Sequence, residues 1–541
     1  LTSPFRGLRA ALAADPAVGA GNVLTTRVER DLHPDAPALT FDTPVDGLPA
    51  WQPLSVRRLD HAVRIRASAL HELGIRRRDP VAVQASNASD NILGFLALTR
   101  LGAIPALVNP LLDGPLTARY LAERLGPGVR LLADAEHLNA LTGHRHTPLA
   151  DIRSLVAGDP DTAPTPYRHW GGDPIAITHS SGTTGLPKAV VHSHDSLYAA
   201  IRHRLRLPRP QGSHRMLSAL PSPHAATLIA VNLALSFGSE LLPLSRQTGP
   251  DVLDSIERWR PASVYGFATT WTDLARHDLS ARDLDSVALW WNTGDCAHET
   301  HIRRLVNAGT REQATRDGRV RIPGSVFVDG LGSTEMGHSH FFISHSADSS
   351  RYGRCVGRPH AFVDCAVLGP DGDELPPGEV GELGTRSPTL ALGYWNDSET
   401  TYRTRVRGYF LTGDLMYRDE EGYYYHVDRA VDSVDLPGGQ RLHTALCEEH
   451  VLAACPEVLD CTVVAVRSGD RTTTDVLLQL APGAAPSDDR APAIRDALGP
   501  DVAATLRDIL VVADEELPLG PTGKVRKMLL RERHLARTAA A

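Results

Sequence analysis

The sequence predicts an α/β fold: a large N-terminal domain of mixed β-sheets flanked by helices, with a β-rich subdomain, then a small C-terminal α+β domain. Three observations carry that prediction. A chain of 541 residues exceeds the size at which one hydrophobic core stops growing. Helix-period and short apolar strand patterns alternate between residues 54 and 108, as in strands covered by helices. A glycine-punctuated run of short strands near 370–384 later gives way to a helix and strand after 447.

In chain order, Leu54-Ser55 precedes the periodic apolar positions Leu59, Ala62, Val63, Ile65, Ala67 and Leu70, which argue an amphipathic helix. Gly74 stops that helix, and Pro80-Val81-Ala82-Val83 reads as a buried strand. Asn87 to Leu101 is a second helix closed by Gly102, and Ala103 to Asn109 is a strand and turn. Pro174-Ile175-Ala176-Ile177 is a further strand, and Ser193-His194-Asp195 caps a helix through Leu197 and Ile201. Val287 to Trp291 and Ser325 to Val328 are strands, each running into a glycine-containing turn. Pro370-Asp371-Gly372-Asp373 is a hairpin turn, and Gly378 to Gly384 continues the β-rich subdomain. Helix Cys447 to Ala454 and strand Asp460 to Arg467 belong to the C-terminal domain.

Composition narrows the function. Apolar content of 42% and a net charge of −8 describe an ordinary globular chain with no basic, aromatic-interleaved footprint for nucleic acid. No apolar run reaches the roughly 18 residues of a bilayer span and no signal pattern opens the chain, so a cytoplasmic location is expected. Six cysteines are too sparse for a disulfide scaffold and never stand two apart as zinc ligands often do. Lysine occurs only at Lys188, Lys524 and Lys527. In a chain that otherwise uses arginine, a compact ammonium at so few places points to phosphate sites.

Lys188 closes the stretch Ile177-Thr178-His179-Ser180-Ser181-Gly182-Thr183-Thr184-Gly185-Leu186-Pro187-Lys188. Glycines, hydroxyls and one cation at this density can wrap backbone N–H groups and side-chain donors around a phosphate chain. The order differs from the strand-to-helix phosphate motif, because Lys188 follows Leu-Pro and no hydroxyl comes after it. Three further stretches stand out: Asp329-Gly330-Leu331-Gly332-Ser333-Thr334-Glu335, Tyr409-Phe410-Leu411-Thr412-Gly413-Asp414, and Leu517-Pro518-Leu519-Gly520-Pro521-Thr522-Gly523-Lys524-Val525-Arg526-Lys527.

In these four stretches the chain resembles the AMP-forming adenylating enzymes: acyl-CoA synthetases, luciferases and adenylation domains of peptide synthetases. The resemblance implies a nucleotide site of Ser180, Ser181, Gly182, Thr183, Thr184, Gly185, Lys188, Gly294, Asp295, Asp329, Gly330, Leu331, Asp414 and Arg429. It implies Lys524, Thr334, Glu335 and His224 as catalytic residues, with Glu335 and Thr184 toward Mg²⁺. The acid pocket would comprise His224, Ala225, Tyr265, Gly266, Asn292, Gly294, Met336 and Gly337. It also implies domains of residues 1–428 and 429–541, the second mobile about a hinge at Asp432, with Gly438 and Gly439 lining a thiol tunnel.

Three departures bear on function. Relatives that activate α-amino acids carry an Asp where Ala225 stands, and a buried ammonium without a carboxylate is costly; the expected substrate is therefore a carboxylic acid lacking an α-amino group. Leu331 replaces an aromatic ring that stacks on adenine. The hinge reads Asp428-Arg429-Ala430-Val431-Asp432, with Asp428 in place of glycine. The resemblance implies ATP-dependent formation of acyl-AMP with release of pyrophosphate, then transfer to CoA. A carrier-protein thiol or separate transferase as acceptor, and a non-catalytic nucleotide or acyl-ligand sensor, are the alternatives.

Overall fold

The structure is a computed structural model, described here for residues 5–144, 147–180, 185–209, 212–316, 318–485, 488–520 and 523–540. Two large sheets and one small one organise it. The first has seven strands in the order Gly393–Tyr394, Ala189–Ser193, Pro174–His179, Ile104–Leu107, Pro80–Gln84, Arg130–Ala133 and Thr147–Asp151. Its central strands are parallel and buried on both faces, which is why they read as continuous apolar runs.

The helix expected after Ser55 spans Val56–Glu72, and the Ser55 side chain accepts from the Arg58 N–H at 3.3 Å. Its buried face includes Leu59, Ala62, Val63, Ala67 and Leu70. The next helix, Ala88–Arg100, is buried nearly all round. Past Ser193 the chain departs from expectation. Ser193 and Ser196 exchange side-chain to backbone hydrogen bonds at 3.0 Å, holding a turn, and the helix starts only at Ala199.

The second sheet has fourteen strands and changes character along its width. Strands Pro37–Thr40, Glu240–Pro243, Arg215–Ser218, Ser263–Phe267, Leu289–Thr293 and Val326–Asp329 pair in parallel. From Phe341–His345 onward pairing is antiparallel, through Cys355–Pro359, Tyr424–Arg429, Tyr409–Arg418, Gly381–Arg386 and Asp364–Leu368. This is the expected β-rich subdomain, and Gly372 turns its hairpin at φ +77°. Trp271 packs edge-on against Trp290 and Phe327 at ring separations of 6.0 and 5.6 Å, knitting the parallel half.

The third sheet joins Val458–Ser468, Arg471–Leu480 and Leu506–Val511, with helices Thr444–Ala454 and Ala491–Ala503 packed on it. No helix among the described residues is long and apolar enough to cross a membrane.

Buried histidines make the fold acid-sensitive. Burial pushes His179, His192, His301 and His345 down to about 4, and His224, His340 and His360 down to about 3. Below about pH 6.5 the unfolded chain binds protons that the folded chain refuses, so each depressed histidine removes about 1.4 kcal/mol per pH unit until its folded value is reached. Buried Asp329, raised to about 6, works the other way below that pH, as do His137 and His298, which Asp134 and Glu449 raise. The depressed histidines outnumber these, so the urea midpoint is expected to be lower at pH 5.5 than at pH 7.5. An equal or higher midpoint at pH 5.5 contradicts this.

Candidate active site

The strand Pro174–His179 delivers the chain to the glycine-hydroxyl loop, where the Ser180 N–H donates to Lys188 O at 3.2 Å and closes the loop's neck. Ser181, Gly182, Thr183 and Thr184 lie outside the described residues. Gly185 has φ +128°, a backbone conformation suited to glycine. Lys188 Nζ stands 5.0 Å over the Tyr394 ring, and the Tyr394 hydroxyl donates to Glu335 Oε1 at 3.1 Å. Burial and the Glu335 charge push the Tyr394 hydroxyl up, so it stays a donor. Loop lysine and Glu335 are thus linked through one ring, bringing together residues 147 positions apart in sequence.

On the facing sheet, strands Ser263–Phe267, Leu289–Thr293 and Val326–Asp329 are parallel neighbours whose carboxyl ends open on one side, where ligands of open α/β sheets bind. Lys524 enters here: its Nζ donates to Asp295 Oδ2 at 3.0 Å and to Gly294 O at 3.3 Å. Burial alone would raise the Asp295 carboxyl; the charges of Lys524, His426 and Arg354 outweigh it and hold it well below the ordinary range. Gly294 turns at φ +85°, and a Cβ there would stand 3.1 Å from Phe267.

His224 caps the helix Ala225–Phe237. Its Nδ1 accepts from the Ala226 N–H at 3.1 Å, so Nε2 carries the proton and faces Thr334 Oγ1 at 3.4 Å. Burial, then the nearby His179 and Lys524, keep this ring neutral. His224 is therefore a neutral donor beside the cation of Lys524.

Asp414 is buried at the Arg429 register partner across the sheet, accepting from Arg429 Nη1 at 2.8 Å. Against burial, Arg429 first and His426 second hold its carboxyl well below the ordinary range. The residue is an ionised acceptor fixed at the rim of the β-rich half.

Several expected site residues do other work. Asn292 is fully buried: the Trp271 indole donates to its Oδ1 at 2.7 Å, and its amide donates to Asp329 Oδ1 and Asp295 O, both at 2.6 Å. Asp329 also accepts from the Ala297 N–H at 3.2 Å, and is buried. Neither is free for a ligand; the pair fixes the turn carrying Gly294 and Asp295. Asn292→Ala should cost about 2–3 kcal/mol, because it strands a buried carboxylate and an indole N–H; urea unfolding reads this, and a loss under 0.5 kcal/mol contradicts it.

Leu331, expected against adenine, is 2% exposed in a core cluster with Cys296, Phe341 and Val356. Gly330 is packed against Ser339, whose Oγ would meet a Cβ at 2.9 Å. Gly266 and Met336 are buried outside the pocket wall, Gly266 because Trp271 and Thr270 fill the space beside it. Lys527 is claimed by structure: half-buried, it is bonded to Glu448 Oε1 at 2.7 Å and Thr444 Oγ1 at 2.8 Å.

Of the expected pocket residues, His224, Ala225, Tyr265, Gly294 and Gly337 line one cavity. Thr293, within the expected stretch Asn292 to Ala297, lines it too; sequence reasoning missed Arg204, Ile229, Leu233, Trp291, Ser333 and His338 on the same wall. Arg204 sits in Arg202-His203-Arg204-Leu205-Arg206, which reads as a solvated cationic stretch. No Asp or Glu is among the lining residues.

Around Asp428, where the sequence departs from the family pattern, the departure has a physical role. Asp428 is buried and accepts from the Thr444 backbone N–H and from the Thr444 hydroxyl, capping the helix Thr444–Ala454. Asp432 pairs with Arg531 of the last helix, and Gly438 and Gly439 lie in an exposed turn with φ +104° and +88°.

Residues 27–395 match the family model described as "AMP-binding enzyme". The chain belongs to the AMP-binding enzyme family. This AMP-binding enzyme is 42% identical over 558 residues to 3-aminoavenalumate diazotase from a Streptomyces species, covering 98% of both proteins. It is 27% identical over 440 residues to feruloyl-CoA synthase from an Amycolatopsis species, covering 78% of this chain and 86% of that one. Its fold matches that of the anthranilate CoA ligase AuaEII in complex with anthranoyl-AMP, with a TM-score of 0.80 at 23% identity, over 95% of this chain and 97% of that one.

Proposed function

We propose that this chain is an ATP-dependent adenylating enzyme that turns an oxyanion oxygen of a small substrate into AMP, a good leaving group, with release of pyrophosphate. The observation that carries the reading is Lys524 held on Gly294 O and Asp295 beside His224 and Thr334. An ammonium there draws the attacking oxyanion and the α-phosphate together and stabilises charge as the P–O bond forms, with no general base needed. Ser180, Ser181, Thr183, Thr184 and Lys188 hold the β- and γ-phosphates in this reading, and Asp414 accepts from the ribose hydroxyls.

Glu335 fits Mg²⁺, since it offers hard carboxylate oxygens, is linked to Lys188 through Tyr394, and takes the Tyr394 hydroxyl on Oε1. The bound cation would neutralise phosphate charge. Residues 1–428 and 429–541 act as two domains, with Asp432 the hinge that lets Lys524 leave and a second reactant enter.

In the first reading the oxyanion is a carboxylate without an α-amino group, and the acyl-AMP passes to the thiol of CoA along Gly438 and Gly439. The absence of any acidic residue from the lining supports the missing ammonium. Sequence similarity to CoA ligases acting on aromatic acids supports the acceptor.

A specific observation favours a second reading: the 42% identity to a diazotase extends over 98% of both chains. Nitrite, like a carboxylate, presents two oxygens on one planar centre. Its oxygen can attack the α-phosphate in the same geometry, giving a nitrosyl–AMP anhydride and pyrophosphate. An aromatic amine then attacks nitrogen and expels AMP, and loss of water from the protonated N-nitrosamine leaves the diazonium group. A neutral aromatic amine needs no carboxylate partner, so the acid-free lining suits it equally.

One assay separates them. The protein is incubated with ATP, Mg²⁺ and aromatic acids with CoA, or aromatic amines with nitrite, and the products are identified by mass spectrometry after trapping diazonium as an azo adduct. Acyl-CoA supports the first reading, ATP-dependent azo adduct the second, and consumption of ATP with neither oxyanion sinks both.

A further inference from the structure

The pocket carries a second cation that adenylation does not use. Arg204, on the helix Ala199–Leu205, lies with its guanidinium carbon 4.3 Å over the Trp291 ring, and Trp291 stacks on Tyr265 at 5.8 Å. Among the described residues its guanidinium has the Trp291 ring as partner and no hydrogen bond or ion pair. The charged or titratable groups felt around it are Tyr265, His338 and His360, none of them a carboxylate.

Other covered arginines have bonding partners: Arg66 pairs with Asp46, Arg100 with Asp60 and Arg429 with Asp414, while fully buried Arg27, with no carboxylate, donates to the Leu32, His33 and Leu235 carbonyls. Both neighbouring imidazoles are kept neutral by burial, so neither brings a negative charge to Arg204. A half-buried guanidinium with a cavity in front and no anion behind it is a receptor for one. Lys524 stands on Gly294 and Asp295, and Gly294 lines the same cavity as Arg204.

We propose that Arg204 is the specificity residue of this pocket, receiving a carboxylate borne by an aromatic substrate at the end away from the reacting group, with Tyr265 and Trp291 beside the ring. The inference rests on the aromatic-substrate reading above and narrows it: an aromatic dicarboxylate if a carboxylate is activated, an aromatic amino-carboxylate if the amine is diazotised. Monofunctional aromatic acids or amines would be poor substrates in either case.

Binding tests this without turnover, so it can fail independently of the adenylation reading. The probes are 4-aminobenzoate and 3-aminocinnamate, each compared with its primary amide, which keeps the size and loses the charge. Affinities are measured by calorimetry on the full-length protein, for the wild type, Arg204→Met and Arg204→Lys. At least one acid should bind the wild type tenfold or more tightly than its amide. That preference should vanish in Arg204→Met and survive in part in Arg204→Lys, with ATP affinity unchanged in both. Equal binding of acid and amide to the wild type for both pairs, or a preference that persists in Arg204→Met, overturns the proposal. Should Arg204→Met not fold, the wild-type acid/amide comparison and Arg204→Lys decide alone.

Discussion

Replacing Lys524 with Ala should lower the rate of AMP transfer about 10²- to 10³-fold, the usual cost of removing one preorganised charge from a transition state. The ammonium has two bonds, to Asp295 and to Gly294 O, both on the turn at the end of strand Leu289–Thr293. Because it acts on charge that develops during transfer, the affinity for ATP should change far less than the rate. Lys524→Arg should not rescue, since a planar fork cannot take the place of a point donor in this geometry. Substrate-dependent ATP–pyrophosphate exchange together with equilibrium ATP binding measures both quantities. A rate within threefold of wild type would remove Lys524 from the chemistry.

Asp414→Ala should affect both stability and nucleotide use. The carboxylate is 4% exposed and bonded to Arg429 at 2.8 Å, with His426 at 3.4 Å. Its removal leaves a partly covered guanidinium without its anion, a change that typically costs about 3 kcal/mol or more. It also removes the acceptor proposed for the ribose hydroxyls, so KM for ATP should rise at least tenfold. Asp414→Asn, which keeps the shape, should fall between. Urea unfolding and ATP titration read the two effects separately; a KM that stays at the wild-type value while stability falls would make Asp414 a structural residue only.

Much of the fold is legible in the sequence because its signals are local. The amphipathic helix capped by Ser55, the buried strand Pro80–Gln84 and the hairpin at Gly372 each follow from residues within one turn of the chain. The site is legible where glycines, hydroxyls and a rare lysine concentrate. What sequence cannot show is the competition for a polar side chain once the chain is folded. Asn292 and Asp329 sit in stretches that point to a ligand, yet each is consumed by the other and by Trp271 and Ala297. Lys527 shares a motif with Lys524 but is claimed by Glu448, 79 residues earlier.

Arg204 is the opposite case. Its local sequence resembles a solvated cationic face, and only the folded chain, in which the Trp291 ring lies under its guanidinium, places it on the pocket wall. Asp428, where relatives are expected to carry glycine, likewise finds its meaning 16 residues away, at the backbone N–H of Thr444. A glycine there would leave the first helix of the small domain uncapped, at a cost of about 1 kcal/mol.

The central claim is transfer of AMP to an oxyanion, and following the label of α-³²P-ATP tests it most directly. With Mg²⁺ and either an aromatic acid panel or nitrite plus aromatic amines, the label should appear in AMP or an AMP anhydride, one pyrophosphate being released for each, only when the oxyanion is present and not in Lys524→Ala. Label appearing in ADP, or in AMP at the same rate without any oxyanion, would contradict the account.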